Sequence, residues 1–406
     1  MLVKNITLLG HKDHGKSTLI GNLMILTKSV TDTRINEAKK TSKSLGRQFE
    51  PGYILDSFYE EREQEMTIDT TRAEMVHKEL AFAFIDVPGH EELIKNMISG
   101  ASYAEIALLI VSAKQEEGIR DQTKRHIFIA RMLGIEKLVV AVNKMDLIGY
   151  SKEKFDGIVA ELRRFIEKIG FTDKDVYFVP TSAYNGDNLI KKSKNIKWYK
   201  GKTLVDLLYI NAKIEDRSKV NGPLRAIAQG FIDSNRETVV GKVISGKVSV
   251  GSEVTLLPFG DKEKVTSIAV KGKNVRSATV NDDVAIRFGK PVNQNIRGAI
   301  IAGRDEKPIV TSSIESTIFV TGKIKGNLVV KVNGKEIKCK KLEVLKHIDT
   351  TNGNVTSEKK ADELNAIRAK LTLETKIPVE KFEDVKELGR FVLYSDKKFA
   401  GIGIVL

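Results

Sequence analysis

The stretch LVKNITLLGHKDHGKST, residues 2–18, decides the fold of this chain of 406 residues. Residues 2–9 form an apolar run with the length of a buried strand, and a helix-like segment runs from Ser17 to Leu26. The connection GHKDHGKS, residues 10–17, fits the pattern G-x-x-x-x-G-K-[ST]. A glycine-rich loop in this position turns backbone N–H groups toward phosphate oxygens, and the helix N-terminus adds a favourable dipole. The stretch therefore predicts a P-loop that binds a nucleoside triphosphate.

Two side chains of this loop have predicted roles of their own. Lys16 is expected to reach the β- and γ-phosphates, and Ser17 is expected to ligate Mg²⁺. The nucleotide-binding residues predicted in the loop are His11, Asp13, His14, Gly15, Lys16, Ser17 and Thr18.

A second motif, DVPG at residues 86–89, follows another apolar strand. An aspartate at a strand end can hold Mg²⁺ through water, so Asp86 is a predicted metal residue. The backbone N–H of Gly89 is predicted to bind the γ-phosphate.

A third motif, NKMD at residues 143–146, predicts which base is bound. The Asp146 carboxylate can accept hydrogen bonds from guanine N1–H and from the exocyclic amine, a donor pair that adenine lacks. Asn143 and Lys144 belong to the same predicted guanine site. Ser182 and Ala183 end the next strand and are expected to add backbone contacts to guanine O6. The P-loop, DVPG, NKMD and Ser182-Ala183 each lie at the carboxyl end of a predicted strand. Open α/β sheets bind ligands at this edge.

The secondary-structure pattern changes near residue 215. Strands alternate with helices over residues 1–210, which predicts a mainly parallel, doubly wound sheet. After residue 215 the segments are short and strand-like, which favours barrels or sandwiches. Asn333-Gly334 is a hairpin signal, because both residues tolerate positive φ. The segment RDEKP at 304–308 indicates a break between two β domains.

Composition excludes several classes of protein. With 41% hydrophobic and 30% charged residues, the chain is neither disordered nor membranous. It has no apolar run of about 20 residues and no secretory signal, so we expect a cytoplasmic protein without membrane contact. The single cysteine, Cys339, excludes a disulfide framework within the chain and a cysteine zinc site. Net charge is +3 over residues 1–200 and +11 over residues 201–406, which fits a polyanionic partner or a lysine-rich surface.

With these motifs in this order, the chain resembles the translation-factor GTPases, the family of elongation factor Tu, over essentially its whole length. The most specific segments are GHKDHGKST at 10–18, EREQEMTID at 61–69, DVPGH at 86–90, IKNM at 94–97 and NKMD at 143–146. The resemblance implies that Thr67 closes on Mg²⁺ and the γ-phosphate, and that His90 positions the water that attacks GTP.

The resemblance also implies the architecture. An α/β P-loop GTPase domain is expected over residues 1–212, followed by β-barrel domains at 218–305 and 312–406. The ligands implied are GTP or GDP with Mg²⁺, and the activity implied is GTP hydrolysis.

Two branches of this family fit the sequence. Our first expectation is the GTPase large subunit of sulfate adenylyltransferase, with a small adenylyltransferase subunit as its partner. The stretches that favour it include QTKRH at 122–126, NKMDLIGY at 143–150 and HIDT at 347–350. The alternative is an elongation factor that delivers aminoacyl-tRNA to the ribosome. A binding-only or divergent GTPase is a third interpretation.

Departures from the family pattern bear on this choice. Lys12 stands where family P-loops usually carry an apolar residue of a hydrophobic gate, and Glu65 replaces a glycine. Residues 235–238, NRET, lack the glycine-rich strand start of tRNA carriers. His14 and the basic C-terminal half, in contrast, favour tRNA or the ribosome.

Overall fold

The structure is a computed structural model that describes residues 2–44, 46, 48–55, 71–86, 104–114, 116–213, 220–304 and 308–406. The chain divides into two compact units, an α/β unit and a second unit that contains two β-barrels. No helix within these ranges is long and apolar enough to cross a membrane.

One mainly parallel sheet forms the centre of the α/β unit. Its strands are β1 (Leu2–Leu9), β2 (Thr71–His77), β3 (Leu80–Asp86), β4 (Ala104–Ser112), β5 (Lys137–Asn143) and β6 (Val176–Pro180). They lie in the order β2-β3-β1-β4-β5-β6, and among these described strands only β2 runs antiparallel to its neighbour. The carboxyl ends of β1, β3, β4, β5 and β6 therefore meet at one edge of the sheet.

Helices cover the sheet. They are α1 (Lys16–Leu26), α2 (Asp32–Ser44), α3 (Asp121–Met132), α4 (Lys152–Lys168) and α5 (Leu204–Ala212), with short 3₁₀ helices at Lys12–His14 and Met145–Ile148. α1 and α5 contribute Leu23 and Leu208 to a core that also contains Leu108 of β4. Leu9 and Leu109, on the opposite face of the sheet, are buried as well. Burial of both faces explains why these strands read as unbroken apolar runs.

The first barrel follows the α/β unit. Its strands are β7 (Arg225–Phe231), β8 (Thr238–Ser245), β9 (Lys247–Ser249), β10 (Glu253–Leu257), β11 (Asp261–Val270), β12 (Lys273–Val275), β13 (Ser277–Thr279), β14 (Asp283–Phe288) and β15 (Ile300–Gly303). The ring β10-β15-β7-β8-β14-β11 closes through the pairing of β10 with β11. In β14 the buried residues Val284, Ile286 and Phe288 alternate with more exposed ones, as the two-residue period of a barrel strand requires.

The second barrel has the same plan. Its strands are β16 (Ile309–Val320), β17 (Leu328–Val332), β18 (Lys335–Ile348), β19 (Val355–Thr356), β20 (Ala366–Val379), β21 (Arg390–Ser395) and β22 (Lys398–Val405). The ring β17-β21-β22-β16-β20-β18 closes through β17 and β18. Asn333 and Gly334, with φ of 51° and 77°, form the tight turn between those two strands. The predicted fold class, a P-loop α/β domain followed by two β-barrels, is confirmed.

Candidate nucleotide-binding site

Two glycines shape the P-loop where it leaves β1. Gly10 has a φ of 133°, and a Cβ there would lie 2.3 Å from the carbonyl oxygen of Ile110. Gly15 has a φ of 86°, and its Cβ would lie 2.6 Å from Asn143 Nδ2. Because both the backbone angle and the neighbouring atoms exclude a side chain, the loop can lie against the ends of β4 and β5.

The loop leads directly into the N-terminus of α1. The 3₁₀ helix Lys12–His14 ends at Gly15, which is also the N-cap of α1, and no side chain in the described part of the chain caps this end. The first N–H groups of a helix have no partner within it and carry its positive dipole end. The predicted phosphate contacts from Lys16, Ser17 and Thr18 fall on this first turn.

Lys16 and Asp86 lie together beside the P-loop. Lys16 Nζ donates to the Gly10 carbonyl oxygen at 3.0 Å and is 3.7 Å from Asp86 Oδ1. The β1–β3 register, which pairs Leu8 with Asp86, brings the end of β3 to this loop. The Asp86 carboxylate and the hydroxyl of Ser17, at the start of α1, are hard oxygen donors of the kind Mg²⁺ prefers. The residues present therefore fit a magnesium ion.

Asn143 links three of the predicted motifs. The end of β5 places this buried side chain between the loops. Its Nδ2 donates to the His14 carbonyl oxygen at 2.9 Å, and its Oδ1 accepts from the Ala183 N–H at 2.8 Å. The backbone N–H of Ala183, which the sequence assigned to guanine O6, is therefore engaged with Asn143.

The next two motif residues diverge from Asn143. Lys144 has a left-handed φ of 62°, and its Nζ is 2.6 Å from Glu117 Oε2. Asp146 is half-buried in the 3₁₀ helix Met145–Ile148. The Met145 N–H donates to the carbonyl oxygen of Thr181 at 3.1 Å, which holds this helix against the loop that carries the buried Ser182. The NKMD segment and the loop with Ser182 and Ala183, which together form the predicted guanine site, thus lie side by side.

His14, within the P-loop, has a fully buried side chain. Its Nδ1 lies 3.1 Å from the Ile110 carbonyl oxygen, and its Nε2 lies 3.4 Å from the Glu117 carbonyl oxygen. Burial lowers the pKa of His14 below its usual value of 6.5, against the effect of these two carbonyl contacts. A neutral ring donates through one nitrogen only, so His14 braces the loop rather than presenting a charge to phosphate. His11 has a smaller role, as its ring accepts from the Asp13 N–H at 3.4 Å.

Three predicted site residues, Thr67, Gly89 and His90, lie outside the described residues. Glu65 lies outside them as well, and of Lys12 only the backbone is described. The assignments of the water-positioning histidine and of the switch threonine therefore stay predictions.

Sequence reasoning missed several residues that build the site. Glu117 contacts both His14 and Lys144. Asn22, buried in α1, donates to the Ala183 carbonyl oxygen at 2.6 Å. Tyr150 donates from its hydroxyl to Asp187 at 2.9 Å and accepts at its carbonyl from Trp198 Nε1 at 2.9 Å. A signal existed only for Asn22, because an amide within the apolar run of α1 needs a buried partner.

Comparison with known protein families identifies both ends of the chain. A model of the elongation factor Tu GTP-binding domain matches residues 1–232. A second family model, described as GTP-eEF1A C-terminal domain-like, matches residues 316–406.

Characterised relatives align over nearly the whole chain. Elongation factor 1-alpha of Aeropyrum pernix is 33% identical, over 99% of this chain and 95% of its own length. Elongation factor 1-alpha of Hyperthermus butylicus is 34% identical, with the same coverage of each. Among solved structures, sup35 complexed with GDP aligns with 100% of this chain and 94% of its own at 26% identity. Its TM-score of 0.44 is too low to support a geometric argument.

These relatives do not support our first expectation, the sulfate adenylyltransferase branch. They are named elongation factor 1-alpha, which favours the alternative, an elongation factor. The family model that matches the C-terminal residues also favours it. A matched GTP-binding domain over more than half of the chain, together with full-length relatives above 30% identity, establishes the family. The chain belongs to the elongation factor Tu and elongation factor 1-alpha family of GTP-binding, GTP-hydrolysing translation factors.

Proposed function

We propose that this protein is a translation elongation factor that delivers aminoacyl-tRNA to the ribosome in a GTP-dependent way. The observation that carries this proposal is the match to proteins named elongation factor 1-alpha at 32–34% identity over nearly the whole chain. The net charge of +11 on residues 201–406 is consistent with a polyanionic partner.

In this proposal the α/β unit binds GTP at the edge where the strands end. The first-turn N–H groups of α1 and the Lys16 ammonium contact the phosphates, and Asp146 recognises guanine. Ser17, Asp86 and Thr67 would hold Mg²⁺, which would neutralise part of the phosphate charge.

Hydrolysis then needs a water oriented toward the γ-phosphorus. His90 is proposed to orient this water, because a neutral imidazole nitrogen can accept a hydrogen bond from it. The water oxygen bonds to phosphorus as the bond from phosphorus to the β–γ bridging oxygen breaks. The water protons pass to the phosphate product and to solvent, which gives GDP and inorganic phosphate. Replacing His90 by Ala should spare GTP binding and slow stimulated single-turnover hydrolysis by roughly 10²–10⁴-fold. An unchanged rate would remove His90 from this role.

The delivery function is tested by protection of charged tRNA. The GTP-bound protein should slow hydrolysis of the aminoacyl ester, and the GDP-bound protein should protect it much less. Binding should weaken steeply as salt is raised, because several phosphate contacts release counterions.

A base-selectivity variant supplies the matched control. Asp146→Asn should lose protection with GTP and regain it with xanthosine triphosphate, which ties protection to the nucleotide site. Absence of protection at moderate salt, together with copurification of a small adenylyltransferase subunit and GTP-stimulated adenylylation of sulfate, would overturn the proposal in favour of the sulfate branch.

A further inference from the structure

Glu117, in the segment after β4, contacts two nucleotide motifs that are distant in sequence. Its carboxylate binds Lys144 of the guanine motif, and its backbone carbonyl oxygen faces His14 of the P-loop. We propose that Glu117 is a positioning residue that fixes Lys144 and thereby slows the release of guanine nucleotide. This inference rests on the nucleotide site proposed above.

The pair formed by Glu117 and Lys144 has the geometry of a fixed contact. Lys144 Nζ and Glu117 Oε2 are 2.6 Å apart, and the two side chains are only 24% and 19% exposed. Such a short, charge-assisted hydrogen bond is about twice as strong as a neutral one. Water screens it less than it screens a surface pair. The ammonium of Lys144 is therefore held in one place before nucleotide arrives.

The backbone of Lys144 also has an uncommon conformation. A φ of 62° is uncommon for a residue with a long side chain. Asn143, the residue before Lys144, is fixed by its hydrogen bonds with His14 and Ala183. Glu117 holds the ammonium at the end of the Lys144 side chain. Without Glu117 the four-carbon stem of Lys144 regains rotamer freedom, which nucleotide binding must then remove.

Glu117 is itself held in place by other residues of the segment that follows β4. Its N–H donates to the Lys114 carbonyl oxygen at 3.1 Å, and Arg120 Nε donates to its carbonyl oxygen at 3.3 Å. Burial raises the pKa of its carboxyl, but hydrogen bonds from Lys144 and Ser112 outweigh burial and leave that pKa below its usual value. Glu117 is therefore ionised at neutral pH and available as a partner for the ammonium.

The neighbouring carboxylate provides a matched control. Glu116 pairs with Lys114 at 3.1 Å, but the Glu116 side chain is 79% exposed and that of Lys114 is 44% exposed. A surface pair of this kind contributes little. Substitution of Glu116 removes a charge but leaves the contact with Lys144, whereas substitution of Glu117 removes both. Comparing the two variants therefore separates loss of a charge from loss of that contact.

The test is a double-mutant cycle on GDP release from the full-length protein. Glu117→Gln should raise the dissociation rate constant of a fluorescent GDP about 10-fold or more, and Glu116→Gln should leave it unchanged. Lys144→Met should also accelerate release. In that background the further change Glu117→Gln should add less than about twofold, because the contact is already gone.

A second readout distinguishes positioning from general damage. In Glu117→Gln the release rate should change by a larger factor than the rate of single-turnover hydrolysis measured with all protein loaded with GTP. The Lys144→Met, Glu117→Gln double variant should unfold at a higher temperature than Lys144→Met, because it no longer leaves a carboxylate unpaired.

Additive effects in the cycle, or equal changes in release and hydrolysis, would overturn the proposal. So would the same acceleration from Glu116→Gln. If wild-type protein binds no GDP, the nucleotide site fails as well. If Asp146→Asn still switches base preference but Glu117→Gln has no effect, only the positioning role fails.

Discussion

Asp146 is the residue on which the proposed selection of guanine depends. It sits half-buried on a short 3₁₀ helix, and no described residue donates a hydrogen bond to its carboxylate. We predict that Asp146→Asn lowers GTP affinity by about 10²-fold or more, because a donor then faces the guanine donors. The same variant should bind xanthosine triphosphate, whose base presents an acceptor instead. Competition against labelled GDP measures both affinities.

The control for this substitution is another aspartate, at an exposed position of a helix. Asp156→Asn on α4 removes an equal charge from a surface pair with Lys152 and should leave both affinities unchanged. Undiminished GTP affinity in Asp146→Asn would contradict the guanine assignment.

We expect His14 to make the stability of the α/β unit sensitive to acid. Burial is the main cause that lowers its pKa below 6.5. The unfolded chain then binds the proton more readily than the folded one, so the stability gained from neutral His14 is complete above pH 6.5. That stability is lost as the pH falls from 6.5 through the lower folded pKa.

A comparison of pH slopes isolates this effect. We predict that the free energy of unfolding at a fixed GDP concentration falls between pH 7.5 and pH 5.5, and that it falls less in His14→Gln. Burial also lowers the pKa of His77, so part of the slope should persist in the variant. Urea unfolding at both pH values measures the difference, and identical slopes for the two proteins would refute the prediction.

At the scale of elements, helix α1 joins the phosphate end of the site to the guanine end. Its N-terminus follows the P-loop, and Asn22, two turns along, donates to the carbonyl oxygens of Ala183 at 2.6 Å and Tyr184 at 3.3 Å. We predict that Asn22→Ala destabilises the protein by about 1–3 kcal/mol, because a buried carbonyl loses its donor. GDP release should also become faster, since the loop at residues 182–184 is no longer tied to α1.

Asn36, exposed on α2, gives the corresponding control. Asn36→Ala removes the same group from a helix without removing a buried contact, so it should change stability and release little. Urea unfolding and stopped-flow GDP release test both variants. Equal behaviour of the two would mean that Asn22 does not anchor the loop.

Elements defined by local sequence could be predicted, and long-range pairings could not. The β1–loop–α1 unit and the turn at Asn333-Gly334 carry their signals within a few residues. Each barrel also needs pairings between strands that are far apart in the chain, such as β7 with β15, and neither strand encodes such a pairing alone. The contact of Asn22 with Ala183 spans 161 residues, and that of Lys144 with Glu117 spans 27.

The choice between family branches failed for a similar reason. Short stretches such as NKMDLIGY, residues 143–150, encode a nucleotide loop that both branches need. They therefore carry little information about what the barrels bind. Similarity over 99% of the chain to elongation factor 1-alpha includes the barrels and so weighs more than local likeness.

At the scale of the whole molecule, the two barrels are joined into one unit. Ile244, Leu257 and Ile300 of the first barrel pack with Val385 and Leu388 from the second barrel domain. Beside this apolar contact, Arg225 at the start of β7 forms an ion pair of 2.6 Å with Glu380 after β20, and these side chains are only 4% and 15% exposed. This interface is predicted to depend on the pair in a way that surface pairs do not.

Removing one partner tests that dependence. We predict that Glu380→Gln lowers the free energy of unfolding of the barrel unit by about 3–5 kcal/mol, because it removes the Glu380 carboxylate from the buried Arg225 charge. The double variant Arg225→Met, Glu380→Leu should recover most of the loss, since apolar groups of similar size can replace a buried pair. Calorimetry of the full-length chain, with hydrogen exchange in β7 and β20 to locate the change, measures these effects.

The sharpest control is a pair with the same separation in a different environment. Arg287 and Glu237 of the first barrel are also 2.6 Å apart, but their side chains are 56% and 24% exposed. Since water solvates either partner once the other is gone, Glu237→Gln should change the barrel transition far less than Glu380→Gln. If burial governs the cost of an unpaired charge, the two substitutions differ although the distances are equal. Equal losses would mean that distance alone sets the contribution and that the ion pair between the barrels has no special part in joining them.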